Sequence, residues 1–109
     1  MPSYLVQVSY TSASIAALVK KPQSRSDVVA VAVKKLGGTM GPFYLCFGDY
    51  DTVGIVDLPD NVSAAAFALA IAAGGSCSDV KTTPLLSLDE GMAALKKAGT
   101  SGYKPVAAK

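Results

Sequence analysis

Two carboxylates flank a phenol near the middle of the chain, at Asp49, Tyr50 and Asp51. Carboxylate oxygens suit hard cations, and a carboxylate beside a phenol suits a proton transfer. The same residues are also typical of a tight turn, in which Asp side chains accept backbone N–H groups and the Tyr ring packs across the end of a sheet. Because an oxygen-ligated cation needs more ligands than one short turn supplies, we predict no metal site here.

Arg25 is the only arginine in the chain. Its planar guanidinium can hold a carboxylate or a phosphate through two parallel hydrogen bonds, which makes it a candidate ligand-binding residue. The same fork suits a salt bridge, for which Asp27, Asp49 and Asp51 are the candidate partners. The sequence leaves both roles open.

Tyr44 and Cys46 lie in an apolar stretch, Phe43–Phe47, that has the composition of a strand. Side chains alternate along a strand, so these two share one face and the phenylalanines and leucine of the stretch share the other. If Tyr44 and Cys46 face the helices, they can line a pocket together with Tyr4 and Tyr10. Tyrosine and cysteine also fill ordinary cores, and the sequence does not decide which face meets the helices.

The remaining composition argues against catalysis and cofactor binding. The chain has no histidine, which is the commonest general base and metal ligand at neutral pH, so we expect no metal and no other cofactor. Its two cysteines, Cys46 and Cys77, are expected to be buried, reduced thiols. Ten basic and eight acidic residues are spread along the chain and give a net charge of +2. A nucleic-acid surface concentrates Lys and Arg on one face, so we expect no nucleic-acid partner.

The longest apolar run, Val62–Ala73, is too short to span a bilayer. It is rich in alanine and is interrupted by Ser63, which is typical of a helix that packs closely against a neighbour. No signal peptide is recognisable. We therefore expect a cytoplasmic protein with no membrane partner.

Hydrophobic periodicity predicts the elements that position these residues. Tyr4–Tyr10 alternates as a first strand, with Tyr4, Val6 and Val8 on one face. A helix capped by Thr11 and Ser12 follows; it is interrupted at Pro22 and ends before Gly37, so we expect one kinked helix or two stacked pieces. The later elements are a hairpin of Phe43–Phe47 and Thr52–Leu58 around a turn at Gly48–Asp51, a helix over Val62–Ala73, a strand over Val80–Leu88 and a helix over Leu88–Ala98. Pro84 within the last strand predicts an edge position or a bulge.

Both faces of the predicted hairpin are largely apolar. On its second strand Val53 and Ile55 share one face, while Thr52, Gly54 and Val56 share the other. An antiparallel hairpin with one wet face would alternate more cleanly between apolar and polar residues. Half of the residues are hydrophobic and only 17% are charged, so we expect one sheet face to pack on the helices and the other on the sheet of a second copy.

The order of elements predicts an α+β, ferredoxin-like βαββαβ fold. Its four-stranded antiparallel sheet would carry the helices on one face, and a short C-terminal helix would follow. We expect a single domain over residues 1–98 and a flexible tail, rich in Gly, Pro and Ala, over residues 99–109.

Short segments in a fixed order give the chain a resemblance to a known family. They are Pro2-Ser3-Tyr4, Pro22-Gln23-Ser24-Arg25, Leu36-Gly37-Gly38, Phe43-Tyr44, Gly48-Asp49-Tyr50-Asp51, Leu58-Pro59-Asp60-Asn61 and Lys81-Thr82-Thr83. Over nearly its whole length the chain resembles the GYD domain family. The resemblance implies a ferredoxin-like fold akin to the dimeric α+β barrels and no established activity. Related barrel proteins include cofactor-free monooxygenases, haem-degrading enzymes and ligand-binding stress proteins, which is analogy at the level of fold.

Three functions are compatible with the sequence. The first is a non-catalytic homo-oligomer that binds a small molecule in a cavity between sheet and helices, through Arg25 and the candidate residues above. The second is a cofactor-independent monooxygenase or isomerase, with Tyr44, Asp49, Tyr50 and Asp51 as its acids and bases. The third is a structural module that assembles through its sheet face. We favour the first, because the catalytic inventory is poor, and leave open whether any catalysis occurs.

Overall fold

The structure is a computed structural model, and it describes residues 1–107. Within these residues the chain forms four strands and four helices. They are β1 (Ser3–Tyr10), α1 (Ser12–Lys20), α2 (Ser26–Lys35), β2 (Thr39–Leu45), β3 (Thr52–Asp57), α3 (Asn61–Ala73), β4 (Cys77–Leu85) and α4 (Leu88–Ala98). The helical segment expected before the hairpin is therefore present as two separate helices, α1 and α2.

All four strands form one antiparallel sheet in the order β2-β3-β1-β4. The central strands are β1 and β3, and Val6 of β1 lies opposite Gly54 of β3 on one side and Thr82 of β4 on the other. This topology confirms the predicted ferredoxin-like α+β fold. Pro84 lies on β4, an edge strand, where a residue without an N–H group costs least.

The core lies between one face of the sheet and helices α2 and α3. Its buried apolar residues are Tyr4, Val6, Val8, Val56 and Leu58 from the sheet side, and Val33, Ala64 and Phe67 from the helices. The alternation of buried residues along β1 confirms the predicted period of two. The Tyr4 hydroxyl donates to Oδ1 of Asn61 at 2.8 Å, which satisfies the one polar group that this ring carries into the core.

The hairpin strands differ from their predicted limits. β2 begins at Thr39 and ends at Leu45, so Cys46 and Phe47 lie in the following loop and not in the strand. The segment Met40–Pro42, which we expected to precede the strand, lies within it, and the pairing with β3 shifts between Met40 and Phe43. A bulge at this point accommodates Pro42, which has no N–H group for the ladder.

The last strand is also displaced from its prediction. β4 covers Cys77–Leu85 instead of Val80–Leu88. It begins earlier because Cys77 pairs with Tyr10 at the end of β1. It ends earlier because Ser87 caps the next helix: its hydroxyl accepts from the Glu90 N–H at 3.0 Å, and Glu90 Oε1 accepts from the Ser87 N–H at 2.9 Å.

The predicted helix over Leu88–Ala98 is confirmed as α4 with the same limits. It buries none of its residues. Residues 99–107 form neither helix nor strand, and the last two residues of the predicted tail lie outside the described residues. The single domain and the flexible tail stay predictions.

Candidate functional site

A cavity of about 250 Å³ lies between the covered face of the sheet and helices α2 and α3. Most of its lining is apolar and comes from β1, β3 and the two helices, through Val6, Val8, Gly54, Val56, Val28, Val29, Ala32, Phe67, Ala70 and Ile71. Alternate residues of β1 and β3 reach the cavity because the period of two directs them to the same face. A concave, mostly apolar space with few polar groups is the usual form of a small-molecule site.

Phe43 forms one side of the cavity because it lies opposite Gly54. A Cβ atom on Gly54 would lie 2.7 Å from Cδ1 of Phe43 and 3.2 Å from the carbonyl oxygen of Pro42. Glycine therefore leaves the room that the Phe43 ring occupies. The same register places Phe43 and Leu45 on the covered face and Tyr44 on the opposite face.

Three titratable side chains line the cavity, those of Tyr10, Arg25 and Cys77. Burial raises the pKa of the Cys77 thiol above 9.0, and the positive charge of Arg25 opposes this only in part. Burial also raises the pKa of the Tyr10 hydroxyl above 10.0. Both groups therefore keep their protons at neutral pH, so Arg25 is the charged side chain of the cavity lining. The negative charge of Asp51, in the nearby loop, also acts on both groups and favours their protonated forms.

Arg25 occupies the position immediately before α2. Its side chain does not cap that helix, and it lines the cavity instead. The N-terminal N–H groups of a helix add positive potential at this point. The guanidinium and the start of α2 place positive charge at this end of the cavity, and Asp27 in the first turn of the helix offsets part of it.

A surface groove joins the cavity at this end. Four residues line both spaces, and they are Tyr10, Arg25, Phe43 and Thr52. The rest of the groove includes polar residues that precede α2, among them Gln23 and Ser24. Arg25 thus stands where the groove opens into the apolar space, so a molecule that entered by the groove would pass its guanidinium.

The loop between β2 and β3 forms its own hydrogen-bonded unit. The Asp51 carboxylate accepts from the Tyr10 N–H at 2.8 Å, and the Asp51 N–H donates to the carbonyl of Val8 at 2.8 Å. The Cys46 thiol donates to the carbonyl of Tyr50 at 3.2 Å. The carbonyl of Asp49 accepts from the Ser9 hydroxyl at 3.1 Å. These bonds fasten the loop to the end of β1.

The structure brings one of the six candidate residues to the cavity, namely Arg25. Tyr44 lies on the open face of the sheet with 63% of its surface exposed. Cys46, Asp49, Tyr50 and Asp51 belong to the loop and do not line the cavity. Within the described residues no group of three or more Cys, Asp or Glu side chains is placed to hold a metal ion.

Sequence reasoning did not single out Phe43, Thr52 or Cys77 as cavity residues. The register of β2 with β3 puts Phe43 and Thr52 on the face that lines the cavity. The pairing of β1 with β4 puts Cys77 beside Tyr10 and so also at the cavity. The one available signal was Gly54 within an otherwise β-branched strand, because an internal strand glycine often marks a close approach.

Comparison with known proteins gives one family and one solved structure. The model of the GYD domain matches residues 4–95. The crystal structure of TTHA0845 from Thermus thermophilus is similar, with a TM-score of 0.53 and 17% sequence identity, and the match covers 80% of this chain and 95% of that one. This likeness concerns the fold alone. No curated protein matches the chain.

None of the helices in the described part of the chain has the length and apolarity to cross a membrane.

Proposed function

The chain belongs to the GYD domain family, and from that premise we propose that it is a non-catalytic homo-oligomer that binds a small apolar carboxylate between its sheet and its helices. The observation that carries the proposal is the position of Arg25, at the start of α2, in the lining of an otherwise mostly apolar cavity. An apolar space with one cation fits a ligand with an apolar body and a single anionic group.

The guanidinium favours a carboxylate as that anionic group. Arg binds a carboxylate through two parallel hydrogen bonds, and such charge-assisted bonds are stronger than neutral ones. The Arg25 side chain makes no capping bond to α2 and lines the cavity, where its donors can meet a ligand. The apolar walls would then enclose the body of the ligand, and Val8, Val56 and Phe67 would supply most of the contact.

The titratable groups of the cavity support binding over catalysis. Tyr10 and Cys77 hold their protons because burial raises the pKa of both. Arg25 is always protonated at ordinary pH. A cofactor-independent enzyme needs a base within reach of the substrate proton, and no carboxylate lines the cavity within the described residues.

The uncovered face of the sheet supports self-association. Leu5 of β1 lies opposite Ile55 of β3, and Val53 of β3 lies opposite Tyr44 of β2. These four side chains lie on the sheet face that points away from the helices. A second copy that covered this surface would bury its apolar side chains, as in the dimeric α+β barrel arrangement. The same face also supports the alternative of a purely structural module, which differs in requiring no ligand.

Thermal unfolding in the presence of simple carboxylates tests the binding proposal. Butanoate, hexanoate and octanoate are compared with the corresponding alcohols, which have the same apolar bodies without the charge. We expect the carboxylates to raise Tm, since a ligand at a hundred times its Kd stabilises the folded state by about 2.7 kcal/mol. The alcohols should have a much smaller effect.

Variants at Arg25 provide the control. Arg25→Met keeps most of the apolar stem and removes the charge, and it should weaken carboxylate binding by about tenfold or more, since a hydrogen bond to a charged group contributes about 1.5–3 kcal/mol. Arg25→Lys keeps the charge but not the two parallel donors, so its affinity for carboxylates should lie between that of the native chain and that of Arg25→Met. The absence of any Tm shift, or an equal shift in Arg25→Met, would contradict the proposal.

A further inference from the structure

Helix α4 carries an apolar stripe that nothing in the described chain covers. Leu88, Met92 and Leu95 recur at i, i+4 and i+7 and share one side of the helix. Their exposed fractions are 93%, 55% and 70%. An isolated helix of 11 residues is marginal in water even with a good cap. A stripe of this kind therefore points to a packing partner outside the chain's own core.

The position of α4 agrees with this. The radius of gyration of the chain is 17.5 Å, whereas a compact chain of this length is expected at about 13 Å. Helices α2 and α3 supply the buried helical residues of the core, while α4 supplies none. α4 thus contributes nothing to the buried core, and its apolar side is available.

The charges of α4 indicate what kind of partner fits. Asp89 and Glu90 lie in its first turn, and Lys96 and Lys97 lie in its last turn. A second α4 that packs in the antiparallel direction places its basic end beside the acidic end of the first and aligns the two helix dipoles favourably. A parallel neighbour would bring like charges together. The helix is therefore complementary to itself in one orientation.

We propose that α4 is a self-association surface, on which α4 of a second copy packs antiparallel. The contact is two-fold symmetric: Leu88 of each copy meets Leu95 of the other, Met92 lies near the axis, and Asp89 lies beside Lys96 of the other copy. This interface is separate from the open sheet face and does not depend on ligand binding in the cavity.

The contact is expected to be weak by itself. Two helices of 11 residues bury less than the roughly 1,000 Å² that a stable independent interface needs. The association should therefore be seen by analytical ultracentrifugation of the full chain over a rising concentration series.

A matched pair of substitutions tests whether the stripe is the surface. Leu95 and Leu69 are exposed leucines on helices, with 70% and 69% of their surface accessible. Leu95→Glu should raise the dissociation constant by at least tenfold, whereas Leu69→Glu on α3 should leave it unchanged. Equal effects of the two changes, or no effect of Leu95→Glu, would overturn the proposal. Circular dichroism confirms that both variants fold.

A mixing experiment tests the antiparallel orientation. Asp89→Lys and Lys96→Glu each create like-charge pairs with an identical copy, so each variant alone should associate more weakly than the native chain. An equimolar mixture should recover association, because every facing pair then has opposite charges. Any weakening of the helix itself by the substitutions is the same in the mixture as in each variant alone. Recovered association in the mixture therefore shows that residues 89 and 96 of different copies contact one another.

The two experiments together separate the possible outcomes. If Leu95→Glu weakens association but the mixture shows no recovery, α4 docks elsewhere on the second copy and the antiparallel pair is wrong. If the mixture recovers, raising the salt concentration should reduce the recovery, since exposed charge pairs are screened. A hexanoate-dependent Tm shift should be the same in all these variants, so failure of this interface is distinguishable from failure of the cavity proposal.

Discussion

Helices α3 and α4 begin alike and pack differently. Each follows a strand and starts at a side-chain cap: Asp60 accepts from the Ser63 N–H at 2.8 Å, and Ser87 accepts from the Glu90 N–H at 3.0 Å. α3 then places Ala64 and Phe67 in the core, whereas α4 buries nothing. Good local signals therefore fix the start of a helix without fixing its place in the fold.

The comparison also concerns amphipathicity. α3 is apolar almost all round its circumference, since its sequence between Asn61 and Ala73 contains one serine and no charge. α4 has the cleaner division into an apolar stripe and a charged side. The more amphipathic helix is thus the one that the chain's own core does not use. A stripe predicts that a helix has a partner, but not that the partner belongs to the same chain.

The largest expected difference between the two helices is the effect of removing a large apolar side chain. Phe67→Ala should lower the free energy of unfolding by about 3–5 kcal/mol, because it leaves a cavity in the core. Leu95→Ala should change it by less than about 0.5 kcal/mol, as at other exposed positions. Urea denaturation at a protein concentration below that of self-association measures both. If Leu95→Ala lowered the free energy of unfolding by several kcal/mol, α4 would have to pack on the core and unfold with it, as α3 does.

A smaller difference is expected for backbone propensity. Ala65 is an exposed residue inside α3, and Ala65→Gly should lower the free energy of unfolding by about 1 kcal/mol. Gly91 lies inside α4, and no atom lies within 4 Å of a Cβ added there. Gly91→Ala should therefore raise the helical content of α4 and leave the urea midpoint unchanged. A higher midpoint would show that α4 is coupled to the domain.

The sequence predicted well those elements whose periodicity has one interpretation. The period of two in β1 was predicted, and the face that Tyr4, Val6 and Val8 share is the buried face in the structure. α4 has the same limits in the structure as in the prediction, because Ser87 and Glu90 define its start. Gly99 marks its end.

Prediction failed where two faces are equally apolar. In β2 both Phe43 and Tyr44 suit a buried position, and only the pairing of Phe43 with Gly54 decides which one meets the helices. The candidate site depends on the same long-range register. Arg25 was identifiable because it is unique in the chain, whereas the approach of Cys77 to Tyr10 required the pairing of β1 with β4. Local patterns do not specify pairings between distant strands.

The smallest expected difference between α3 and α4 is the effect of low pH on their stability. Hydrogen bonds from Ser63 hold the pKa of the Asp60 carboxyl below 3.8, and hydrogen bonds from Ser87 hold the pKa of Glu90 below 4.5. A carboxyl with a lowered pKa stabilises the folded state above its unfolded-state pKa, and this contribution is lost as the pH falls through the folded-state value. Because α3 belongs to the core, protonation of Asp60 should lower global stability. Protonation of Glu90 should only loosen the first turn of α4.

Two conservative variants separate these effects. Asp60→Asn keeps an N-cap acceptor that does not titrate, so it should flatten the decline of the urea midpoint below the ordinary Asp pKa of 3.8. Glu90→Gln keeps the capping box and should leave that decline unchanged, while it removes the acid-dependent shift of the amide resonances of Ser87 and Glu90. An equal change of slope in the two variants would mean that both caps stabilise one cooperative unit, and α4 would then have to contact the core at low pH.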